Sequence, residues 1–202
     1  MPRTRPLELE EMTPEGRAYV EEKEARGIPG NARIQAHRPA MTRAWDDLGK
    51  AMATEGTLSP RLLELVRLRI AFHNQCRTCM SLRYLPEDQI DEGTVCSLEK
   101  PEEADDLTAA EQSALRFADL FATNHLAIDD QTYDELREHF TDAELVELGY
   151  RCGMNLAMGR VAATWDVVDG LPERFQGDRG YESPLTPGGG DFIRVKAAPV
   201  PV

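Results

Sequence analysis

The amino-acid sequence predicts an all-α fold, and three observations support that prediction. Apolar residues recur at steps of three and four through most of the chain, which is the period of an amphipathic helix. Several of these segments begin with Ser or Thr as an N-cap, or with Pro at the first helical position. Capping boxes open two of them, at Thr108–Glu111 and Thr141–Glu144. The 202 residues, 41% of them hydrophobic, predict one helical domain with a real core.

The N-terminal part predicts a short charged helix and then an amphipathic one. Thr13 and Pro14 start the first helix, which ends before Pro29. Between residues 31 and 54 apolar side chains recur at helical spacing, and Pro39 marks the start of the main helix. Its apolar set is Ile34, Met41, Ala44, Trp45, Leu48 and Met52. We expect this face to cover the helix that carries the first two cysteines.

The next two predicted helices lead to that cysteine pair. Ser59 as N-cap and Pro60 at the first helical position begin a helix that runs to about Phe72. It is apolar on nearly every side, as expected of a helix inside a bundle. A second helix is predicted from near Cys76 to just before Pro86. Both thiols then lie in its first turn, where unpaired backbone N–H groups and the positive end of the dipole favour a thiolate.

The remainder of the chain predicts an acidic surface segment, more helices and a tail. Beyond Pro172 the chain is rich in Pro and Gly and loses its periodicity, so we expect an extended arm or disorder there. Helices are predicted at residues 108–124, 129–140 and 141–169. The predicted organisation is an N-terminal helical extension (1–30), a central helical domain (31–171) and a C-terminal tail (172–202).

Composition excludes several classes of function. The net charge is −13 and there is no basic stripe to neutralise phosphates, which argues against a nucleic-acid partner. No run approaches the roughly 18 apolar residues of a membrane span, and the N-terminus has no apolar core of signal-peptide length. We therefore expect a cytoplasmic protein without a membrane partner. Four unevenly spaced cysteines are too few for a secreted fold held together by disulfides.

The C-x-x-C pair, Cys76 and Cys79, is the strongest chemical signal. Two cysteines one helical turn apart can form an easily reduced disulfide, and thiols in this motif are often acidified. Zinc binding needs four ligands, but no second C-x-x-C or H-x-x-x-H pair exists to complete such a site. Redox chemistry without a metal or organic cofactor is therefore the first hypothesis, and purely structural thiols are the alternative. We interpret Cys96 and Cys152 as ordinary buried or loop cysteines.

The order of these segments resembles the carboxymuconolactone decarboxylase superfamily, and specifically its alkylhydroperoxidase D-like (AhpD-like) branch. The resemblance rests on ELVRLRIA, which starts at Glu64, and on NQCRTC, which ends at Cys79. Two later stretches also resemble helices of the larger decarboxylase-like proteins, LTAAEQSALRFADLFA and FTDAELVELGYRCGMNLAMGRVA. The similarity covers roughly residues 31–171. It implies an AhpD-like helical bundle that assembles as a dimer, trimer or hexamer.

The resemblance also implies a chemistry and its residues. The family acid lies twelve residues before the first cysteine, as Glu64 does before Cys76. Cys79 would attack a peroxide and become a sulfenic acid, Cys76 would resolve it to a disulfide, and Glu64 would move protons. A dithiol protein, either lipoylated or thioredoxin-like, would then reduce the disulfide. From the residues alone, Glu64 could instead pair with Arg61 or Arg67 on its own helix.

Two nearby residues are further candidates for this site. The family histidine that lies four residues after the second cysteine is Arg83 here. On the predicted helix Arg83 shares a face with both thiols and can act as a cation for the thiolate, or it pairs with an acid across an interface. His73, three residues before Cys76, could reach the thiols or simply cap its helix.

Three functions follow as competing hypotheses. The first is a thiol-dependent peroxidase or disulfide oxidoreductase that uses the Cys76/Cys79 pair. The second is lactone decarboxylation or related enolate chemistry, although decarboxylases of the superfamily generally lack the C-x-x-C pair. The third is a non-catalytic, redox-responsive oligomer. Loss of free thiol on exposure to peroxide, followed by turnover with a dithiol donor, separates the three.

Overall fold

The computed structural model of the protein describes residues 1–28, 30–177 and 192–196 and confirms the all-α prediction. The helices are α1 (Pro14–Ala25), α2 (Asn31–Gln35), α3 (Pro39–Glu55), α4 (Pro60–His73), α5 (Arg77–Ser81), α6 (Glu92–Ser97), α7 (Ala109–Thr123), α8 (Asp130–Arg137) and α9 (Asp142–Trp165). Short 3-10 helices cover Leu9–Glu11, Pro101–Glu103, His125–Ala127 and Glu173–Phe175. Strands β1 (Leu82–Arg83) and β2 (Ile193–Arg194) form a small parallel pair.

Local capping determines where the main helices begin. The hydroxyl of Ser59 accepts a hydrogen bond from the backbone N–H of Leu62, and Pro60 occupies the first position of α4. The capping boxes of Thr108 and Thr141 both form as expected from the sequence. Replacing such a cap by alanine typically costs about 1 kcal/mol. These starts need no contact from elsewhere in the chain, which is why the sequence predicts them well.

Helix α4 forms the centre of the core. Among the described residues, the two most extensive contacts between elements are those of α4 with α7 and with α9. Leu65, Val66 and Ile70 of α4 are completely buried, together with Leu115 of α7 and Leu148 of α9. Burial of each such side chain contributes roughly 1.5–3 kcal/mol. The helix that precedes the cysteine pair is therefore held rigidly by its own chain.

The expectation for helix α3 is wrong. Its apolar face does not cover the cysteine helix, because Met41 is 72% exposed and Leu48 is 49% exposed. Thr42 is the one buried residue of this fully described helix. The amphipathic pattern correctly predicts a helix but says nothing about which surface its apolar side meets. In this chain much of that side faces outward.

The cysteine helix is also shorter than the sequence predicts. Helix α5 ends at Ser81, and the chain continues as β1 instead of remaining helical to the residue before Pro86. Helix α9 ends at Trp165, where Asp166 has a left-handed backbone conformation (φ 58°), whereas the sequence predicted an end near Asp169. Because α5 ends at Ser81, Arg83 lies on β1 and not on the cysteine helix.

The described parts of the predicted tail pack against the core. Phe175 is 4% exposed, and β2 pairs with β1 as an extended segment. Residues 178–191 and 197–202, where an arm or disorder was also expected, lie outside the described residues. The domain boundaries after residues 30 and 171 stay predictions. Within the described ranges, no helix is long and apolar enough to cross a lipid bilayer.

Candidate active site

Cys76 and Cys79 form a disulfide in this structure. Their Cα atoms are 5.2 Å apart, which is within the usual range for a disulfide. Cys76 is 1% exposed, whereas Cys79 is partly exposed. The prediction that the two thiols lie within disulfide reach is confirmed. Of the two cysteines, Cys79 is the one that solvent can reach.

A sharp turn between α4 and α5 brings the two cysteines together. After α4 ends, Gln75 adopts a left-handed backbone conformation with φ 49° and reverses the chain. Cys76 then occupies the N-cap position of α5, and its Sγ accepts a hydrogen bond from the backbone N–H of Cys79 at 3.2 Å. Both residues therefore lie in the first turn of the short helix α5, as the sequence predicts.

Glu64 is buried and bound by the guanidinium of Arg67. Its Oε2 accepts a hydrogen bond from Arg67 Nε at 2.6 Å, and its Oε1 accepts from Arg67 Nη2 at 2.8 Å. Oε1 also accepts from the backbone N–H of Tyr84 at 3.0 Å. Of the two arginines considered as partners, Arg61 instead pairs with Glu111. Both oxygens of the Glu64 carboxylate are thus engaged.

Arg67 links this carboxylate to the cysteine segment. Its Nη1 donates to the carbonyl of Cys79 at 2.8 Å, and its Nη2 donates to the carbonyl of Leu82 at 2.9 Å. Burial alone lowers the pKa of Arg67, but the charge and hydrogen bonds of Glu64 outweigh it and raise that pKa above its ordinary value. Arg67 was considered in the sequence only as a partner for Glu64. The sequence feature that could have indicated this role is that Arg67 is one of the few charged residues on a nearly all-apolar helix.

The predicted helical position of Arg83 is wrong. Arg83 lies in β1 after the end of α5, so it does not share a helical face with the thiols. It is 2% exposed, and Nε and Nη2 each donate to the Glu92 carboxylate at 2.9 Å. Nη1 donates to the carbonyls of Met80 at 2.7 Å and Leu82 at 3.0 Å. Burial lowers the pKa of this guanidinium. Its action on the thiolate stays a prediction.

Two glutamate–arginine pairs, each with one buried partner, therefore hold the end of α5. A helix leaves its last carbonyl groups without partners in the helix, and here Arg67 and Arg83 supply donors to them. Glu64 and Glu92 neutralise the two guanidinium groups. This arrangement satisfies the backbone carbonyls at the end of the helix. It also ties the backbone of Cys79 directly to α4.

His73 contacts an acid on a neighbouring helix. Its Nε2 lies 2.6 Å from Oδ1 of Asp119 on α7, and the same carboxylate accepts from Nε of Arg69 at 2.5 Å. Burial raises the pKa of Asp119, but the hydrogen bonds from His73 and Arg69 outweigh it and hold that pKa below its ordinary value. This contact ties the end of α4 to α7 and accounts for one ring nitrogen of His73.

The other two cysteines lie in different surroundings. Cys152 is completely buried among the core side chains, and burial raises the pKa of its thiol to about 12. Cys96 on α6 is partly buried, and its pKa is also raised, chiefly by burial. Thiols with raised pKa values are poor nucleophiles near neutral pH. Within the part of the chain that the structure describes, no cluster of His, Cys, Asp or Glu suited to a metal ion is found.

An apolar groove of about 920 Å³ opens on the face formed by α3, α7, α8 and α9, and we call it the α3–α9 groove. It was not predicted from the sequence. Three of its lining residues are strongly exposed hydrophobic side chains, with Tyr150 at 67%, Val146 at 56% and Leu48 at 49%. Its other apolar lining residues are Trp45, Met52, Phe117, Phe121, Tyr133, Leu145, Gly149, Gly153 and Met154. Exposed apolar surface of this kind usually marks an interaction site.

The central part of the chain is similar to known sequences. Residues 39–120 match the sequence model of the carboxymuconolactone decarboxylase family. Uncharacterized proteins from two strains of Mycobacterium tuberculosis are each 37% identical over 120 residues. The matched region covers 56% of this chain and 40% of the length of those relatives.

Comparison with solved structures identifies the fold. The AhpD core of an uncharacterized peroxidase-related protein from Ralstonia eutropha superposes with a TM-score of 0.68 at 21% identity, over 87% of this chain and 94% of that one. A peroxidase-related protein from Silicibacter gives 0.64 at 17%, over 87% and 95%. The debrominase Bmp8 gives 0.64 at 17%, over 83% and 93%. At these identities the likeness establishes a shared fold and leaves the reaction open.

Proposed function

Because residues 39–120 match the carboxymuconolactone decarboxylase family and the fold is shared with AhpD-like proteins, we propose that this chain is a thiol-dependent peroxidase or disulfide oxidoreductase. One observation carries the proposal. Cys76 and Cys79 are paired at the start of α5, and one of them is open to solvent while the other is enclosed. That asymmetry suits a pair in which one thiol meets the substrate and the other resolves the product. The more general role, peroxidase-related or decarboxylase-like, is supported by the family and the fold.

The proposed reaction requires no metal or organic cofactor. The Cys79 thiolate attacks the terminal oxygen of a peroxide, the O–O bond breaks, and an alcohol leaves after it takes up a proton. Cys79 is now a sulfenic acid. The Cys76 thiol attacks its sulfur, water leaves and the disulfide forms. A protein dithiol, either lipoylated or thioredoxin-like, then reduces the disulfide by exchange and becomes oxidised itself. The partial exposure of Cys79 supports assigning it the first step.

We propose that Glu64 acts on this site through Arg67. The carboxylate keeps the guanidinium charged and oriented, and the guanidinium holds the carbonyl of Cys79. Three hydrogen bonds engage the Glu64 carboxylate, so the proton relay that the family resemblance implies has one of its roughly four acceptor positions left, on Oε2. Glu64 and Arg67 are therefore positioning residues in this proposal. Cys76 and Cys79 are the residues that react.

A stopped-flow measurement with an organic peroxide tests the function. We expect reduced protein mixed with cumene hydroperoxide to lose two free thiols per chain for each peroxide consumed, because one disulfide forms. Mass spectrometry should place that disulfide at Cys76 and Cys79. Catalytic turnover should follow when a dithiol donor is added. A Cys96→Ser variant serves as the matched control and should react like the unchanged protein.

The same experiment separates the competing functions. If the thiols do not react with peroxide and the disulfide does not exchange with a dithiol donor, the proposal is wrong and lactone or enolate chemistry becomes the stronger hypothesis. If the thiols are oxidised but no dithiol donor restores them, a non-catalytic, redox-responsive oligomer fits better. If a dithiol donor and the disulfide exchange rapidly but peroxide does not react, the protein is a disulfide oxidoreductase.

We propose that the chain forms a homo-oligomer through the α3–α9 groove. The groove presents exposed aromatic and aliphatic side chains, and Gly149 within it has no neighbouring atom near its Cα side, which leaves room for close approach. We expect light scattering to show an oligomer at micromolar concentration and Tyr150→Glu to shift it to monomer, because a charge buried in the interface is costly.

Leu126→Glu is the control for the oligomer experiment. Leu126 is 85% exposed but does not line the groove, so this substitution should leave the oligomer intact. A monomeric unchanged protein at micromolar concentration would contradict the oligomer proposal. An oligomer that persists in Tyr150→Glu would assign the interface to another surface.

A further inference from the structure

A short C-terminal segment, Phe192–Lys196, lies against the chain that follows Cys79, and we call it the strap. Its strand β2 runs parallel to β1, with Leu82 opposite Ile193 and Arg83 opposite Arg194. The backbone N–H of Val195 donates to the carbonyl of Arg83 at 2.9 Å. The strap therefore occupies an edge of backbone only three residues beyond the exposed cysteine.

The strap is also fastened beyond its strand. The backbone N–H of Lys196 donates to the carbonyl of Arg26 at 3.0 Å, and Nε of Arg26 donates back to the Lys196 carbonyl at 3.2 Å. Arg194 donates to the carbonyl of Leu85 at 3.1 Å. These contacts join the C-terminal segment to the end of α1 and to the loop after β1. The ordered strap is a specific docking arrangement of the chain on itself.

Phe192 anchors the strap through its aromatic ring. The guanidinium carbon of Arg83 lies 3.7 Å from the centre of the Phe192 ring, and that of Arg174 lies 4.9 Å away. Phe175 meets the ring edge-on at a centroid distance of 6.0 Å. Phe192 and Cys79 both pack on one small apolar cluster, formed by Ala71, Met80, Leu171 and Phe175. The strap thus shares its packing surface with the reactive cysteine.

These contacts give a structural reason for the arginine at position 83. The face of its guanidinium stacks on the Phe192 ring, while the N–H groups at its edge bind Glu92 and a carbonyl at the end of α5. Its backbone carbonyl receives the strap. A planar, permanently charged guanidinium can make all of these contacts at once, and an imidazole cannot. The position that departs from the family pattern is therefore the main anchor of the strap.

We propose that the strap is a gate that limits the approach of large reactants to Cys79. A strand pair of only two residues on each side has few backbone hydrogen bonds, so it is among the segments that open most easily. When the strap is docked, small molecules still reach the partly exposed Cys79, whereas a protein dithiol must first displace the strap. This inference rests on the proposed function for its biological meaning. The gate itself can be tested through the accessibility of the Cys79 thiol alone.

Thiol access can be measured directly with two reagents of different size. The fully reduced protein is alkylated with N-ethylmaleimide or with a 5-kDa polyethylene glycol maleimide, and modification of Cys79 is quantified by peptide mass spectrometry. Val195→Pro removes the N–H that donates to Arg83, and Val195→Ala is the matched control. We expect the ratio of large-reagent to small-reagent rates at Cys79 to rise about tenfold in Val195→Pro and to stay within twofold in Val195→Ala. Using a ratio cancels any change in the thiol pKa.

A second pair of variants and an exchange measurement complete the test. Phe192→Ser removes the ring that Arg83 holds, whereas Phe192→Leu retains an apolar anchor, so the first should open the gate much more than the second. Amide hydrogen exchange of the C-terminal peptide reports strap release. Faster exchange without a changed rate ratio would overturn the gate. Unchanged exchange in both Val195→Pro and Phe192→Ser would overturn it too, because the contacts described would then not hold the strap.

The gate and the proposed function fail in different ways. The alkylation experiment contains no peroxide and no dithiol donor. If the strap variants change the rate ratio at Cys79 but the protein does not react with peroxide, the peroxidase proposal is wrong and the gate is supported. If the protein turns over peroxide but the strap variants do not change the rate ratio, the gate is wrong and the peroxidase proposal is supported.

Discussion

Replacing Cys79 by serine is expected to abolish peroxide turnover, with a loss on the order of 10³-fold or more, as is usual when a catalytic nucleophile is removed. A serine hydroxyl is not ionised near neutral pH and cannot take the place of a thiolate. The helix that carries the residue should still form, because its contacts with Arg67 are made through the backbone carbonyl of residue 79. Peroxide consumption with a dithiol donor measures the effect.

The companion variant Cys76→Ser separates the roles of the two cysteines. Cys79 should still react with one peroxide, but without the resolving thiol the sulfenic acid persists and is oxidised further to a sulfinic acid. Intact mass spectrometry distinguishes these products. If Cys76→Ser fails to react at all while Cys79→Ser forms a stable sulfenic acid, the roles are reversed.

Replacing Glu64 by leucine is expected to lower the free energy of unfolding by about 3–5 kcal/mol, because it removes one partner of a buried ion pair. Arg67 would keep its charge in a largely buried position, and the backbone N–H of Tyr84 would lose its acceptor. Urea denaturation of the oxidised protein measures the change. The double variant Glu64→Leu/Arg67→Leu should recover part of the loss, since it removes the unpaired charge.

The chain offers a matched control for this effect. Glu103 pairs with Lys100 at the same three-residue separation, but both side chains are 64% exposed. Glu103→Leu should therefore change the free energy of unfolding by no more than about 1 kcal/mol. A comparable loss in both variants would show that burial of the Glu64 pair is not the cause.

The features that the sequence predicts correctly depend on contacts within one or two helical turns. Ser59 and Thr108 start their helices by binding backbone N–H groups three residues ahead, so their own neighbours decide the outcome. The cysteine pair is of the same kind, because Cys76 at the N-cap of α5 brings Cys79 close through the geometry of a single turn. The order of these segments also carries the family resemblance.

The features that only the tertiary structure decided depend on residues far apart in the chain. Arg61 meets Glu111, fifty residues away, which leaves Glu64 to Arg67 although both arginines are equally near in sequence. Arg83 leaves the helical pattern because its backbone pairs with a segment more than a hundred residues further on. The sequence by itself determined the helices and the redox pair, since short-range hydrogen bonds encode both. Tertiary packing decided the partners of the charged side chains, because a buried charge must pair with an opposite charge or a polar group that lies next to it in space.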